Sequence, residues 1–257
     1  MDFKNTGLAL SGGGSKGIAQ AGVLKFLEEQ KIKPTVISGT SAGAVIAAMY
    51  AFGKTPQEIL EFFKSIYFFN WRHFTFSKAG IIDSDAFKSY FHAIFDDALI
   101  GDLPIPVIIT ATDLVSGKIK IFNEETKITD AILASTSFPG MISPYKIGDS
   151  LYSDGGILNH FPTDLIQEKC DTTIGIYVSP IHDIEAKDLK SIKSVTTRAF
   201  DLLTAHSNFQ KFSLCDWIIE PIELSKFSTF ETNKVKMDAI FNIGYEEAKK
   251  SFDKLNS

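Results

Sequence analysis

The sequence has little of what marks disulfide-rich, nucleic-acid-binding and membrane-spanning proteins. Its 257 residues include only 2 cysteines, Cys170 and Cys215, too few for a disulfide framework, so two free thiols are expected. The 26 Lys and Arg against 31 Asp and Glu give a net charge of −5, and this lack of a basic surplus argues against a nucleic-acid partner. The longest nearly apolar run, residues 42–53, is shorter than the roughly 20 residues that cross a bilayer.

Targeting and metal-binding patterns are also missing. The start, Met1-Asp2-Phe3-Lys4-Asn5, has neither the cationic segment nor the apolar run of a signal peptide, so a cytoplasmic location is expected, with membrane association as an alternative. No clustered set of His, Cys and Asp implies a metal ion, and no cofactor is expected. The oligomeric state is left open at this stage.

What the sequence does contain is an ordinary globular composition. Hydrophobic residues make up 44% and charged residues 22%, which argues against intrinsic disorder and allows a sizeable core. No repeat or linker divides the chain, so residues 1–257 are predicted to form a single domain. Short apolar runs alternate with helical periods, and this predicts an α/β fold: a three-layer α/β/α sandwich whose central sheet is mostly parallel.

Local patterns predict most of the helices and strands. Strands are predicted at residues 6–11, 34–38, 107–112, 118–122, 151–153, 172–178 and 217–219, and helices at 17–30, 42–52, from 56 onward, 189–212 and 233–254. The third of these helices has a clear beginning, because Thr55 and Glu58 form a capping-box pattern with Pro56 at the first helical position. Residues 116–117 predict a turn that pairs the strand at 118–122 with the one before it.

A first glycine cluster, Gly12-Gly13-Gly14-Ser15-Lys16-Gly17, lies between the first predicted strand and helix. It matches G-x-G-x-x-G, but the second strand lacks the carboxylate that would hold a ribose, and no Lys-Ser/Thr pair follows as in a P-loop. What remains is a nest of backbone N–H groups at a helix N-terminus, suited to a phosphate or to the oxyanion of an acyl-transfer intermediate. A glycine turn without a ligand is the alternative.

A second cluster, Gly39-Thr40-Ser41-Ala42-Gly43, is G-x-S-x-G between a predicted strand and a predicted helix, the context of a nucleophile elbow. A sharp strand-to-helix turn projects the hydroxyl of Ser41, and the following helix directs its positive end toward a developing anion. The motif alone is common, and a tight turn before a core helix is the alternative. The order of strand, turn and helix favours a nucleophile.

The base that would activate this serine has two kinds of candidate. Among the 5 histidines, His160 or His206 would complete a Ser-His-Asp arrangement. Asp154 ends a predicted strand before Gly155-Gly156, which would leave its carboxylate exposed at the strand tip, although Asp-Gly is also a common hairpin turn. Asp113, at another strand end without paired glycines, is interpreted as structural.

These three motifs, together with Ala111-Thr112-Asp113-Leu114 and the block at residues 134–139, resemble the patatin-like phospholipase family in their order along roughly residues 7–162. The resemblance implies a lipid acyl hydrolase acting on phospholipids, lysophospholipids or related acyl esters, without calcium. The alternatives are a Ser-His-Asp carboxylesterase or thioesterase and a non-catalytic lipid- or nucleotide-binding module.

The resemblance also implies roles for individual residues. It implies a dyad in which Ser41 is the nucleophile and Asp154 the general base. It further implies an oxyanion hole and its supports, namely the backbone N–H groups of Gly13, Gly14 and Ser15, the neighbouring Lys16, and the glycines Gly39, Gly43, Gly155 and Gly156. An ordinary aspartate, with a pKa near 3.9, is a poor base, so burial is expected to raise the pKa of Asp154.

Aromatic residues are concentrated in one segment. Of 22 Phe, 7 Tyr and 2 Trp, eight lie between Phe62 and Phe76, interleaved with basic residues. This segment suits an acyl-chain pocket or peripheral contact with a membrane surface, and core packing is the alternative.

Overall fold

A computed structural model describes residues 2–66, 75 and 78–255, apart from the side chains of residues 193 and 206–209. Within these residues, eight strands form one sheet: β1 (Thr6–Leu10), β2 (Pro34–Thr40), β3 (Val107–Asp113), β4 (Lys118–Ile121), β5 (Tyr145–Ile147), β6 (Ser150–Asp154), β7 (Thr172–Ile176) and β8 (Trp217–Ile219). Their order is β5-β6-β3-β2-β1-β7-β8, with β4 also paired to β3.

The sheet is mixed, with its parallel and antiparallel pairs kept apart. From β3 through β2, β1 and β7 to β8 every neighbouring pair is parallel. The pairs β3–β4, β3–β6 and β5–β6 are antiparallel, and β3–β4 is the hairpin that the turn at 116–117 predicted. The α/β fold class is therefore confirmed, with an antiparallel part beside the parallel strands.

The α-helices are α1 (Ile18–Glu29), α2 (Ala42–Ala51), α3 (Pro56–Ser65), α4 (Lys88–Phe95), α5 (Ile128–Thr136), α6 (Gly156–Asn159), α7 (Ile192–Phe212) and α8 (Lys234–Leu255). The predicted capping box is present at the start of α3: Thr55 Oγ1 accepts from Glu58 N–H at 3.2 Å, and the Glu58 carboxylate accepts from Thr55 N–H at 2.8 Å. No helix in the described ranges combines the length and apolar character needed to span a bilayer.

Both faces of the sheet are covered. Because successive side chains of a strand point to opposite faces, Leu8 and Leu10 of β1 belong to the large core cluster with α1, α2 and α8. Ala9 lies between them in sequence and belongs to a smaller cluster with Phe161 and Tyr177. Helices and loops on the two faces give the predicted three layers.

The structure adds elements that the sequence patterns missed. Helix α5 begins at Ile128 without a capping side chain on Lys127, and α4 continues a short 3₁₀ turn, so neither has a clear sequence signal at its start. Strand β5 has only three residues, too few for a period to show. The first helix also differs from its prediction, because a 3₁₀ turn, Gly14–Gly17, precedes α1.

Candidate active site

Two strand ends meet beside β3. Thr110 of β3 faces Thr40, the last residue of β2, and the next residue, Ala111, faces Asp154, the last residue of β6. Ser41 follows directly after β2, so this register places its side chain against the end of β6. The Ser41 hydroxyl Oγ donates a hydrogen bond of 2.6 Å to Asp154 Oδ2, across 113 positions of sequence.

Ser41 occupies a sharp strand-to-helix turn. Its φ of 55° and ψ of −122° lie in a region that non-glycine residues rarely adopt, at a cost of about 1–3 kcal/mol. The Ser135 hydroxyl accepts the Ser41 N–H at 2.8 Å, and α2 begins at the next residue. Gly39 and Gly43 flank the turn, and a Cβ on Gly43 would lie 2.3 Å from the carbonyl oxygen of Leu10. The turn therefore needs glycine there to let the backbones approach.

Asp154 is held by hydrogen bonds in a buried position. Only 2% of the residue is exposed; Oδ1 accepts the Gly156 N–H at 2.7 Å, while Oδ2 accepts from Ser41. The adjacent Gly155 N–H points to the Ser135 carbonyl oxygen at 3.4 Å. Burial raises the pKa of Asp154 to about 6, and the hydrogen bonds from Ser41 and Gly156 act against that rise. The pKa shift has the direction that a general base requires.

The first glycine cluster borders the same space. Gly13 and Gly14 line the cavity that contains Ser41, and no acceptor for either N–H is found among the described residues. Ser15 differs from its expected role, because its N–H donates to the carbonyl oxygen of Thr229 at 2.8 Å. The Ser15 hydroxyl donates to the Glu231 carbonyl oxygen at 3.0 Å. Ser15 thus anchors the loop, and the two glycine amides are the candidates for binding an anion.

Lys16 lies in a neighbouring cleft and is not among the described residues that line the cavity in front of Ser41. Its side chain is almost fully buried, and this burial lowers its pKa, while the Asp201 carboxylate opposes and Arg198 adds to the decrease. Asp201 borders both spaces, so the two are adjacent.

We refer to the space in front of the serine as the Ser41 cavity. Most of its wall is apolar and comes from several elements: Val45, Phe62, Phe63, Ile66, Phe87, Phe91, Phe138, Ile142, Phe200 and Phe230. Its polar lining residues include Ser41, Asp154, His160, Ser179 and Asp201. An apolar cleft with a few converging polar groups suits a substrate with a hydrocarbon chain and one reactive polar group.

The other sequence candidates lie elsewhere or make no contact with the serine. His160 is buried in the cavity wall, but no hydrogen bond joins it to Ser41 in the described part of the chain. Burial, followed by the charges of Lys16 and Lys211, lowers the pKa of His160 to about 4. The His206 side chain lies outside the described residues. Asp113 stabilises the turn after β3, where Oδ1 accepts the Val115 N–H at 2.9 Å.

Sequence reasoning missed the part of the wall that comes from the second half of the chain. Phe200 and Asp201 on α7 and Phe230 before α8 belong to no motif, and only their contacts reveal them: the Phe200 and Phe230 rings meet Phe138 with centroids 4.7 and 5.6 Å apart. Of the aromatic segment, Phe62 and Phe63 line the cavity, while residues 67–74 and 76 lie outside the described residues. Within the described ranges, no three His, Cys, Asp or Glu side chains could hold a metal ion.

Comparisons with known proteins show which family the chain resembles. The family model of patatin-like phospholipases matches residues 8–166. An uncharacterized NTE family protein of Mycobacterium tuberculosis is 31% identical over 213 residues, which cover 78% of this chain and 59% of that protein. Human patatin-like phospholipase domain-containing protein 6 is 25% identical over 281 residues, 95% of this chain but 20% of its own. The chain thus spans less than two thirds of either relative.

Two solved structures share the fold. VipD from Legionella pneumophila superimposes with a TM-score of 0.68 at 15% identity, covering 98% of this chain and 67% of that chain. The type III effector protein ExoU gives a TM-score of 0.54 at 15% identity, covering 97% and 53%. At this identity the likeness concerns the fold alone.

Proposed function

Because the chain belongs to the patatin-like phospholipase family, we propose that it is a serine hydrolase that cleaves acyl esters of phospholipids or lysophospholipids. The observation that carries this proposal is the 2.6 Å hydrogen bond from Ser41 Oγ to the buried carboxylate of Asp154, at the polar end of an apolar cavity. A hydroxyl beside a base of raised pKa is the arrangement that nucleophilic catalysis requires.

Acylation uses these groups in order. Ser41 Oγ attacks the ester carbonyl carbon while Asp154 takes its proton. The N–H groups of Gly13 and Gly14, with the N-terminus of α2, stabilise the oxyanion that forms. The intermediate collapses, the bond to the alcohol breaks, and the alcohol oxygen takes the proton from Asp154. An acyl-Ser41 ester remains.

Deacylation then repeats the chemistry with water. Asp154 takes a proton from water as the water oxygen attacks the acyl carbon. The bond to Ser41 Oγ breaks, and Oγ recovers the proton from Asp154. The aromatic wall around Phe62, Phe91 and Phe138 would hold the acyl chain, since burying hydrocarbon there is worth roughly 25 cal/mol for each Å² removed from water.

The wider organisation follows from the same reasoning. Residues 1–257 act as one catalytic domain in this proposal, because both halves of the chain supply walls of the same cavity. The aromatic segment 62–76 would contact the lipid surface from which the substrate comes, since its first members, Phe62 and Phe63, already face the cavity.

Labelling with a fluorophosphonate probe tests the proposal. The wild-type protein should be labelled and should hydrolyse p-nitrophenyl butyrate and lysophospholipid. Ser41→Ala should abolish labelling and lower kcat/KM by at least about 10³-fold, because the attacking atom is lost. Asp154→Asn should slow both reactions.

Ser213→Ala is the matched control, because Ser213 is exposed at the end of α7 and its hydroxyl donates to the Gln210 carbonyl oxygen. It should label like wild type. A wild-type protein that neither reacts with the probe nor hydrolyses any ester, but binds lipid, would instead be a lipid-binding module.

A further inference from the structure

We propose that His160 binds the water molecule that hydrolyses the acyl-Ser41 intermediate. The inference rests on the proposed function and adds a group that acts in the second half of the reaction only. His160 is neither the nucleophile's base nor part of the oxyanion hole; its role concerns the incoming water.

The first support is an unusual buried ring. Only 4% of His160 is exposed, yet neither Nδ1 nor Nε2 has a hydrogen-bond partner in the described part of the chain. Its ring neighbours are aromatic: the Tyr177 and Phe200 rings meet it edge-on, with centroids 6.1 and 6.3 Å away. Buried polar groups are nearly always paired, and leaving one unpaired costs about 1–3 kcal/mol. A ring that lines the Ser41 cavity in this condition points to a ligand there.

The second support is the position of the ring relative to the dyad. A Cβ on Gly156 would lie 2.8 Å from His160 Nδ1 and 2.9 Å from Asp154 Oδ1, so these two atoms are at most 5.7 Å apart. A Cβ on Gly12 would lie 2.7 Å from His160 Cε1 and 3.4 Å from Ser41 Cβ, so these are at most 6.1 Å apart. One oxygen making two hydrogen bonds of about 2.8 Å joins polar atoms up to about 5.6 Å apart, so a single water can lie between His160 Nδ1 and Asp154 Oδ1 beside Ser41. Glycine at position 156 keeps the gap clear.

The third support is the charge state of the ring. Burial and the nearby Lys16 and Lys211 keep His160 neutral around pH 7, so one ring nitrogen carries a lone pair that accepts a hydrogen bond. Water has two hydrogens. Asp154 takes one of them as the water oxygen attacks, and the lone pair of His160 accepts a hydrogen bond from the other. An alcohol has carbon in place of that second hydrogen, so the acylation step makes no use of His160.

The proton and bond changes balance without any further reactant. The water oxygen forms a bond to the acyl carbon, and one water hydrogen passes to Asp154. The carbon–oxygen bond to Ser41 breaks, and Ser41 Oγ takes the hydrogen from Asp154. The second water hydrogen leaves with the free acid, which then ionises in solvent. His160 only orients the water, so its protonation is unchanged at the end.

The test compares hydrolysis with transfer to methanol. His160→Phe keeps a planar ring but removes the acceptor, and His160→Gln restores a side-chain oxygen acceptor. With p-nitrophenyl butyrate, the burst that reports acylation should keep its rate and amplitude in His160→Phe. Steady-state hydrolysis should fall about tenfold, the effect of one lost hydrogen bond. Intact mass should show the acyl adduct accumulating on Ser41.

The product ratio is the decisive readout. In a fixed concentration of methanol, the ratio of methyl ester to free acid should rise several-fold in His160→Phe and return toward wild type in His160→Gln. This ratio reports deacylation even when acylation limits the rate. An unchanged ratio, with burst and steady-state rates lowered by one common factor, would overturn the inference.

Two controls keep this result separate from folding and from the proposed function. If His160→Phe does not fold by circular dichroism, His160→Leu replaces it and the same ratio decides. If the wild-type protein forms no acyl-Ser41 adduct at all, the proposed function itself is wrong. If that adduct forms and the ratio of methyl ester to free acid is the same in wild type and in the His160 variants, the proposed function stands and only the inference is wrong.

Discussion

The two halves of the chain contribute different things to one cavity. Residues before position 161 supply the groups proposed for acylation: Ser41, Asp154 and the amides of Gly13 and Gly14. Residues after it supply walls, such as Phe200 and Phe230. The first group comes from short loops at strand ends, which local sequence can specify. The second depends on packing over long sequence distances, so it leaves no motif.

The two halves are also joined at the glycine loop. The Thr229 carbonyl oxygen accepts the Ser15 N–H, and the Glu231 carbonyl oxygen accepts the Ser15 hydroxyl. The backbone that would bind the oxyanion is therefore held from the second half. The comparison teaches that each group with a proposed role lies in a short local motif, while its placement depends on segments far away in the sequence.

The prediction with the largest expected effect tests the contact between the glycine loop and the segment at Thr229. Gly14 has a φ of +56°, and a Cβ there would lie 2.3 Å from the Thr229 carbonyl oxygen. Gly14→Ala should therefore displace the loop from the Thr229 segment and lower kcat for p-nitrophenyl butyrate by about 10²–10³-fold, the cost of losing one oxyanion donor. Steady-state kinetics and thermal unfolding measure the two consequences.

Gly117→Ala is the matched control, because Gly117 has a similar φ of +67° but nothing within 4 Å of a Cβ. It should lower the free energy of unfolding through strain alone and keep kcat. Equal kcat values for both variants would show that the second half does not position the loop.

The prediction with the next largest effect tests Asp154, the proposed proton acceptor in the first half of the chain. Asp154 must be ionised to accept a proton, so kcat/KM should rise with pH and level off above about 6. At pH 4 it should be about 100-fold below the plateau, tenfold for each pH unit. Substitution of Phe200 should leave this inflection in place. An inflection near pH 4, the ordinary range of an aspartate, would contradict the raised pKa of Asp154.

The smallest effect concerns the wall. Phe200→Ala removes a ring that packs on Phe138 in the cavity, so KM for a long-chain ester should rise about tenfold while KM for a butyrate ester changes little. Phe212→Ala is the control on the same helix, since Phe212 packs on Phe161 and Tyr177 away from the cavity. It should lower thermal stability without this chain-length effect. A uniform KM change would argue against an acyl-binding wall.

The pairing of Ser41 with Asp154 was expected from local turn signals together with the family resemblance. Glycines beside Ser41 and after Asp154 mark sharp turns at two strand ends, which lie on either side of β3 in the sheet. The capping box at Thr55 and the hairpin after Asp113 were predicted on equally local grounds. The structure confirms both, and it places Ser41 and Asp154 in contact.

The features that could not be predicted from the sequence depend on packing between residues that lie far apart in the chain. The role of Ser15 changes because Thr229, over two hundred positions away, accepts its N–H. His160 entered as an alternative base, and only the structure shows that its ring is buried, has no carboxylate partner among the described residues and has a pKa lowered to about 4. The sequence required a raised pKa at Asp154, but the burial that raises it is a property of the assembled layers.

The burial of Asp154 also has a consequence for folding stability. In the unfolded chain an aspartate loses its proton at a pKa of about 3.9, whereas in the folded protein Asp154 keeps it up to about pH 6. Between these values the folded state binds more protons, so the free energy of unfolding falls as the pH rises, by about 3 kcal/mol from this residue alone. Buried His160 opposes this contribution, because its pKa is lowered to about 4 and the unfolded state therefore binds more protons over a similar pH range. Mild acid should thus protonate Asp154 with little net change in the free energy of unfolding from these two buried groups.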